Sequence, residues 1–311
     1  MRRLLVFVFI LSIVILSSCV KPETFVPVLT SASFDLEFVT SYGSITGFWL
    51  DAAVPDSNGN VYHVTHRTLQ VYVYDENDTL LDQWGTPGAG DGELLDTDGM
   101  TLDKNDNVYI SDGDSDKVQK FTSDGTYLLK FTHPNLDSPG DLTVDKQGNL
   151  FVASKKTDSI VKFDKTGNYL THWGGAGTGN GKFNSISYIT VDPDGNLFVS
   201  DIGNDCVQKF DSNGNFLMKF GKSGTEEGEF TAPGDIAFDK YGYIYVTAIE
   251  RGKIMKFSGG GVFLQEFGTK GITEEYEFGT PWQLYISDNF TFMVVDGSFE
   301  NHIKIFDLVT E

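Results

Sequence analysis

The chain has 311 residues, and its 44 Asp and Glu residues outnumber its 23 Lys and Arg residues to give a formal net charge of −21 at pH 7. Nucleic-acid binding depends on basic patches that displace counterions from phosphate groups, so this composition argues against a nucleic-acid partner. The same charge predicts repulsion from anionic lipid headgroups. With only two cysteines, a disulfide framework is excluded, and the fold has to be stabilised by its own core.

The first element in chain order has the pattern of an export signal. Arg2 and Arg3 precede an apolar run over residues 4–16, which is shorter than the roughly 20 residues that a transmembrane helix needs. The run ends in Leu16–Cys19, with the sequence Leu-Ser-Ser-Cys. This tetrad resembles the lipobox of bacterial lipoproteins.

In lipoproteins the lipobox cysteine becomes the lipid-modified first residue of the mature protein. The resemblance implies a signal peptide over residues 1–18, a lipid on Cys19 and a tether over residues 19–32. It places the mature protein outside the cytoplasm, anchored to a bacterial membrane, which is the outer membrane if the organism has one. An uncleaved membrane anchor is the alternative, and it would leave the domain on the same side of the membrane.

After the tether, one pattern recurs along the chain: an apolar trio, an Asp, a turn that usually contains Gly-Asn, and an alternating apolar strand. The residues at the Asp position are Asp56, Asp103, Asp145, Asp192, Asp239 and Ser287. Their spacings are 47, 42, 47, 47 and 48 residues. A repeat of this length with several short strands per unit is typical of a β-propeller. The sequence therefore predicts an all-β, six-bladed propeller of four-stranded antiparallel blades.

The two ends of the chain predict how the ring closes. The sixth repeat has no fourth strand after Ile303–Phe306, whereas Phe34–Phe38 aligns with the fourth strand of the fourth repeat. We therefore expect the N-terminal strand to pair with the last blade, so that residues 33–311 form one domain. Burying the three alternating apolar side chains of this strand contributes roughly 5–9 kcal/mol, at about 1.5–3 kcal/mol each.

The repeat also resembles a known family. Val191–Asn204 reads Val-Asp-x-x-Gly-Asn-Leu-Phe-Val-x-Asp-x-x-Asn, and Val207–Phe210 follows with Val-Gln-Lys-Phe. Together with the glycine-rich linker over residues 220–234, this pattern resembles the NHL repeat. The resemblance implies a six-bladed ring with a central channel. The family includes protein-binding scaffolds, sensors, RNA-binding modules and a few metal-dependent lyases, so the fold alone does not give the function.

A site is predicted at the mouth of that channel, on the face formed by the longer loops. The position just before each innermost strand is occupied by Ala52, Gly99, Asp141, Tyr188, Asp235 and Gln283. Because this set varies while the strands behind it repeat, we interpret Asp141, Tyr188, Asp235, Trp282 and Gln283 as candidate ligand-binding residues. The alternatives are that each Asp caps a turn by accepting backbone N–H bonds and that Trp282 packs against its own linker.

Two further observations concern metals and catalysis. Asp141 and Asp235 belong to alternate blades, and two carboxylates at a channel mouth suit Ca²⁺ or another divalent cation. His63 replaces an aliphatic residue of the repeat, and His66 follows it in a loop. No phosphate loop, catalytic triad order or paired CxxC motif is present in the sequence. Cys206 lies in a predicted strand and is interpreted as a packed residue.

The sequence thus favours a monomeric, non-catalytic binding scaffold, tethered at the cell envelope, that engages a protein, peptide or glycan through its loop-rich channel face. The alternative is a metal-dependent lyase or hydrolase at the same mouth, using Asp141 with Asp235 or His63 with His66.

Overall fold

The computed structural model describes residues 36–42, 52–271, 276–287, 291–297 and 302–308. The signal peptide, Cys19, the tether and Phe34 lie outside the described residues. The described helices include two single 3₁₀ turns, Ile202–Asn204 and Ile249–Arg251. Within the described ranges, no helix has the length and apolar character that crossing a bilayer requires.

Six four-stranded antiparallel sheets form the domain. We call each sheet a blade and its strands a to d, from the innermost to the outermost. The strands are, for blade 1, Ala52–Pro55, Val61–Thr65, Gln70–Tyr74 and Leu80–Trp84; for blade 2, Thr97–Leu102, Val108–Asp112, Lys117–Phe121 and Tyr127–Phe131; for blade 3, Pro139–Val144, Leu150–Ser154, Ser159–Phe163 and Tyr169–Gly174; for blade 4, Ile186–Val191, Leu197–Asp201, Cys206–Phe210 and Phe216–Phe220; for blade 5, Pro233–Phe238, Ile244–Ala248, Lys253–Phe257 and Phe263–Phe267; and for blade 6, Pro281–Ile286, Thr291–Asp296, His302–Leu308 and Leu36–Tyr42.

The blades stand in a ring. The a strands of neighbouring blades contact one another all the way round, including those of blades 6 and 1. Buried aromatic and aliphatic side chains fill the seams between blades, as between blades 3 and 4, where Phe151 packs with Phe183 and Phe210. The predicted all-β, six-bladed propeller is confirmed.

The ring closes through the two ends of the chain. Strand Leu36–Tyr42 pairs antiparallel with His302–Leu308, with Phe38 opposite Phe306 and Tyr42 opposite Ile303. The predicted pairing is therefore confirmed from residue 36 onward. The strand also continues four residues beyond Phe38, with a register shift between Phe38 and Thr40.

The repeated Asp builds the turn between strands a and b. In blade 4, Asp192 Oδ1 accepts the backbone N–H groups of Asp194 at 3.0 Å and Asn196 at 2.8 Å. Gly195 takes a φ of +85° in this turn, a conformation that side chains disfavour. In blade 6 the hydroxyl of Ser287 accepts the N–H of Thr291 instead, at 3.0 Å. The Asp-x-x-Gly-Asn motif is thus a local turn device that sets the strand register.

A lysine in strand c fastens the turn to the blade. Lys209 Nζ lies 3.0 Å from Asp192 Oδ2 and 4.8 Å from the centre of the Phe198 ring. Lys120 makes the same pair of contacts in blade 2. Cation–π contacts of this kind strengthen when they are partly desolvated. The Lys-Phe dipeptide of the repeat is therefore explained by packing within the blade.

The strand order gives the ring two different faces. The b–c connections and the d–a linkers emerge on one face, which we call the loop face. The a–b and c–d turns emerge on the other, which we call the turn face. Since strand Leu36–Tyr42 is a d strand, its Leu36 end lies at the turn face and its Tyr42 end at the loop face.

Candidate functional site

The six rim positions were predicted just before the a strands, but they lie inside them: Ala52 is the first residue of its strand and each of the others is the third. One side of the rim has almost no side chains. Ala52 is fully buried. A Cβ at Gly99 would lie 2.8 Å from the carbonyl oxygen of Gly140 and 3.0 Å from the Cα of Asp141. The close approach of blades 2 and 3 therefore forces glycine at this position. The polar groups of the rim consequently come from blades 3 to 6.

Three of these polar residues bridge neighbouring blades. Asp141 Oδ2 accepts the N–H of Ile189 in blade 4 at 2.8 Å. Asp235 Oδ2 accepts the N–H of Leu284 in blade 6 at 2.9 Å, and Asp235 Oδ1 accepts the N–H of Ile236 at 2.7 Å. Each carboxylate therefore satisfies a backbone donor of the next a strand. The alternative interpretation expected the acceptor role, but it placed the donors in a local turn and not in the neighbouring blade.

Gln283 makes the equivalent bond across the closing seam. Its Oε1 accepts the N–H of Ala53 in blade 1 at 2.8 Å. The side-chain amide still carries two N–H donors on Nε2, because an amide oxygen and nitrogen have separate roles. The rim thus presents both acceptor and donor groups beside the channel.

The channel contains a cavity of about 230 Å³ that residues of all six a strands line. Asp141, Asp235 and Gln283 lie in its wall. A second layer follows two residues further along each strand, with Thr101, Thr143 and Thr190 among its members. The sequence interpretation missed this layer, although the alternation of a strand places residues i and i+2 on one face and so contained the signal.

Enclosure by the ring changes the acidity of the two carboxyl groups. Burial raises the pKa of Asp141 well above its usual range, and the nearby charge of Asp235 raises it further, against hydrogen bonds from Ile189 and Leu142. Burial raises the pKa of Asp235 to about 7. Both side chains keep partial solvent exposure because they face the channel. Near neutral pH the pair therefore retains a proton.

Tyr188 belongs to the blade between the two aspartates. Burial raises the pKa of its hydroxyl, and the charges of Asp235 and Asp141 add to the effect. The phenol therefore stays neutral. Since both carboxylates act on Tyr188, the structure brings Asp141, Tyr188 and Asp235 together at one side of the mouth.

The structure places Trp282 elsewhere. Its ring packs against the core between blades 6 and 1, which includes Ala53, Met293 and Val295. Neither Trp282 nor Tyr188 is among the residues that line the channel cavity. The indole N–H of Trp282 has no hydrogen-bond partner within the described ranges.

The histidines do not converge on the channel. His63 is buried between the rings of Tyr72 and Tyr74, with centroid distances of 5.0 and 5.5 Å. Burial lowers the pKa of His63 to about 4. His66 is exposed in the b–c loop of blade 1. The side chain of His302 is outside the described part of the chain.

No group of three or more His, Cys, Asp or Glu side chains that could hold a metal ion occurs among the described residues. At the mouth, a divalent cation would have Asp141 and Asp235 as its two carboxylate ligands, and it would need further oxygen ligands from water or Gln283. Cys206 is buried, and burial raises the pKa of its thiol to about 12. The interpretation of Cys206 as a packed residue is confirmed.

Two kinds of chemistry are open to this mouth. A cationic or N–H donor group that enters beside partly dehydrated carboxyl groups stabilises their charged form. A carboxyl group with a pKa near 7 is also suited to proton transfer at neutral pH. The arrangement therefore fits a binding site for a donor-rich group, and it also fits the acid–base part of a catalytic site.

No family model matches the sequence, and neither does any curated protein. Solved structures do match the fold. A structure of streptogramin B lyase has a TM-score of 0.65 and 15% identity over 90% of this chain and 100% of that one. A catalytically inactive variant of virginiamycin B lyase from Staphylococcus aureus with quinupristin has a TM-score of 0.63 and 15% identity over 85% and 82%. The selenomethionine-substituted form of that lyase has a TM-score of 0.64 and 12% identity over 88% of this chain and 100% of that one. At these identities the likeness shows a shared propeller fold.

Proposed function

We propose that this protein is a non-catalytic binding scaffold of the bacterial cell envelope, which holds a protein, peptide or glycan at the channel mouth of its loop face. The observation that carries the proposal is the uneven rim. Asp141, Asp235 and Gln283 lie in the wall of the channel cavity and Tyr188 lies near both aspartates, while Ala52 and Gly99 place no polar side chain there.

The chemistry of the rim favours a ligand with cationic or N–H donor groups. Near neutral pH the pair retains a proton, because burial disfavours the charged form of both groups and the charge of Asp235 adds to this effect at Asp141. A ligand ammonium or amide group would stabilise the charged forms. Gln283 would add a donor for a ligand carbonyl. An extended peptide offers both kinds of group.

We further propose that the repeats are of the NHL kind and that the chain is exported and anchored through a lipid on Cys19. The support is the lipobox-like Leu16–Cys19 and the repeat motif of Val191–Phe210. Replacing Cys19→Ala is expected to abolish labelling by radioactive palmitate and to release the protein from the membrane fraction. Labelling that persists in the variant would refute the lipoprotein assignment.

Photocross-linking in the native envelope tests the binding role. We expect benzoylphenylalanine in place of Tyr188 to give a discrete cross-linked adduct. The control carries the same group in place of Tyr241, which is exposed at the turn face, and should give none. The adduct should weaken at least severalfold when Asp141→Asn and Asp235→Asn are added. Adducts only from position 241, or none from position 188, would contradict the proposal.

A metal-dependent lyase or hydrolase at the same mouth is the second candidate. It is favoured by the fold likeness to streptogramin B and virginiamycin B lyases, together with the pKa of about 7 of the Asp235 carboxyl group. In that case Asp141 and Asp235 would hold the ion. Metal analysis of the purified protein, followed by thermal melts with Ca²⁺, Zn²⁺ and chelator, separates the candidates. A melting temperature that rises with one ion and falls with chelator supports the enzyme, whereas indifference to all three supports the scaffold.

A further inference from the structure

One blade departs from the repeat at the outer part of the loop face. The linker that enters blade 3 has only the seven residues 132–138, whereas the linker that enters blade 5 has the 12 residues 221–232. The short linker accounts for the single spacing of 42 residues in the repeat. It leaves less chain to cover the start of strand c in blade 3.

In other blades a long side chain reaches from this region to the linker. Lys117 Nζ donates to the carbonyl oxygens of Ala89 at 3.1 Å and Gly90 at 2.9 Å in blade 2. Arg251 Nη1 donates to the carbonyl oxygens of Glu226 at 3.1 Å and Glu229 at 3.0 Å in blade 5. These contacts fill the space between the linker and strands c and d.

Blade 3 has Ser159 at the position of Lys117, and the space remains open. A cavity of about 250 Å³ lies there, and its walls include Asn135, Thr157, Ser159, His172 and Trp173. None of the residues that line it also lines the channel cavity. Blade 3 thus carries a second, separate cavity at the rim of the loop face.

Hydroxyl groups form one wall of this cavity. Thr157 Oγ1 lies 2.7 Å from Ser159 Oγ and 2.8 Å from Ser154 Oγ. Ser154 Oγ in turn accepts the N–H of Asp137 at 2.9 Å and donates to its carbonyl oxygen at 3.0 Å. Since Ser154 donates to Asp137 and Thr157 donates to Ser154, Ser159 donates to Thr157, and the Ser159 oxygen is left as an acceptor for a ligand.

An ordered imidazole forms the opposite wall. His172 Nδ1 lies 3.0 Å from Asn135 Nδ2 and 2.7 Å from the Tyr169 hydroxyl. An amide NH₂ group only donates, so Nδ1 is the acceptor and Nε2 carries the proton. Tyr169 is itself held by a stacked contact with His133, at a centroid distance of 3.8 Å and an angle of 6°. The Nε2–H donor of His172 is therefore fixed in orientation.

We propose that this cavity, bounded by Ser159, His172 and Trp173, binds a neutral sugar ring. Its lining contains hydroxyl, amide and imidazole groups but no Asp, Glu, Lys or Arg, although acidic residues dominate the sequence. A cationic or anionic ligand would therefore find no opposite charge in the walls. Sugar hydroxyls match a set of uncharged donors and acceptors. Behind this lining, the ring of Trp173 packs with Phe151 and Phe210 in the core between blades 3 and 4.

The size of the cavity limits the ligand. Pockets for drug-sized molecules have about 300–1,000 Å³, so about 250 Å³ suits one ring with its substituents. The opening at the rim leaves room for the rest of a glycan to continue outside. The cavity thus fits a single residue of an envelope glycan, and its role does not depend on the channel mouth.

Nuclear magnetic resonance of the indole N–H groups tests the proposal. The chain has four tryptophans, and Trp173→Phe assigns the signal of Trp173. We would titrate the soluble domain with N-acetylglucosamine, glucose and galactose, and use glycylglycine as the non-sugar probe. We expect a saturable shift of the Trp173 signal with at least one sugar and none with glycylglycine.

Two variants locate the binding. His172→Ala removes an exposed side chain with the fixed donor, and Ser159→Met fills the cavity. Each is expected to weaken sugar binding about tenfold or more. Lys219→Ala is the matched control, since Lys219 occupies the position of His172 in strand d of blade 4. It should leave the affinity unchanged.

Any one of three outcomes would overturn the proposal. The first is that no sugar shifts the Trp173 signal, the second is that glycylglycine shifts it equally, and the third is that both blade 3 variants bind the sugar with unaltered affinity. The double variant Asp141→Asn and Asp235→Asn should leave the sugar titration unchanged. The blade 3 cavity and the channel mouth therefore succeed or fail in separate experiments.

Discussion

The seam between blades 3 and 4 and the seam between blades 6 and 1 have the same place in the ring but different interiors. Between blades 3 and 4, Phe151, Phe183 and Phe210 are almost fully buried and pack with aliphatic neighbours. Between blades 6 and 1, the described core consists of smaller side chains, including Ala53 and Val295. One seam is made by consecutive blades, and the other joins the two ends of the chain.

The closing seam also contains polar groups without partners. His63 lies on the face of blade 1 that packs towards blade 6, because its cross-strand neighbour Ala53 contacts Met293 there. Neither ring nitrogen of His63 has a hydrogen-bond partner in the described part of the chain, and the same holds for the indole nitrogen of Trp282. A buried polar group left unpaired costs about 1–3 kcal/mol. The three unpaired nitrogens therefore destabilise the closing seam, whereas the seam between blades 3 and 4 has one among the described residues, the indole nitrogen of Trp173.

The largest effect is expected from removing the closing strand. A variant that starts after residue 42 exposes the edge of strand His302–Leu308, which contributes the buried Ile303 and Phe306 to two cores. Since whole domains are stable by only about 5–15 kcal/mol, we expect the cooperative thermal transition to disappear. A variant that starts at residue 33 is the control and should melt as the full chain does. A normal melt of the shorter variant would show that the ring does not need this strand.

A smaller effect, of opposite sign, is expected from repairing the seam. His63→Ile introduces the residue that blade 2 has at the same position, Ile110. Removing the two unpaired nitrogens should stabilise the domain by about 1 kcal/mol at pH 7, after the loss of stacking on Tyr72 and Tyr74.

The benefit of this substitution should grow in acid. The pKa of His63 is about 4 in the folded chain and about 6.5 in the unfolded chain. The unfolded state therefore binds the proton first, and stability is lost as the pH falls from about 6.5 to about 4. Denaturant titrations of both proteins at pH 7, 6 and 5 measure the difference. If the difference in the free energy of unfolding between the two proteins were the same at all three pH values, this would contradict the burial of an unpaired His63.

The channel carboxylates should show the reverse dependence on pH. Because the folded pKa of Asp235 is raised to about 7, the folded state holds a proton that the unfolded chain releases above about pH 4. Stability that comes from this group is present in acid and is lost as the pH rises through about 7. Asp141→Asn with Asp235→Asn keeps an acceptor for each backbone N–H. We expect it to stabilise the domain by about 1–2 kcal/mol at pH 8 and by less at pH 5, since one pKa unit is worth about 1.4 kcal/mol before screening by channel water.

The denaturant midpoint at pH 5 and pH 8 provides the measurement for these aspartates. Asp194→Asn, in a turn at the opposite face, is the control and should show no such dependence. A double variant that is less stable than the parent at pH 8 would mean that both carboxylates are ionised and compensated in the folded protein.

The last comparison separates two lysines of adjacent blades, each of which lies over an aromatic ring, Lys162 at 4.7 Å from the centre of Phe151. Lys209 pairs with Asp192 at 3.0 Å, whereas Lys162 donates to the carbonyl oxygen of Ser212 at 2.7 Å and has its pKa lowered by burial. Lys209→Met is therefore expected to cost about 1–2 kcal/mol, and Lys162→Met about 0.5 kcal/mol or less. Comparison of the two melting temperatures checks this, and equal losses would show that the ion pair adds nothing to the cation–π contact.

The repeat made the fold predictable, because each copy carries its own turn, strand alternation and lysine, and these act over a few residues. Ring closure was predictable for the same reason, since a missing strand at one end matched a spare strand at the other. The position of Asp141, Asp235 and Gln283 beside the channel was also predictable, but their hydrogen-bond partners were not. The hydrogen bond that the Ile189 N–H donates to Asp141 joins residues 48 positions apart in neighbouring blades, and no local pattern encodes it. Trp282 was assigned to the mouth, although its neighbours in the seam are distant in sequence.

The orientation of the closing strand has a mechanical consequence. A force applied at Leu36 along the axis of strand Leu36–Tyr42, and directed away from the loop face, runs parallel to the strand. The backbone bonds to His302–Leu308 lie across that axis, so they share the load in shear and do not open one at a time. Opposing forces on Leu36 and on the loop face would thus load the ring closure in the direction in which its hydrogen bonds act together.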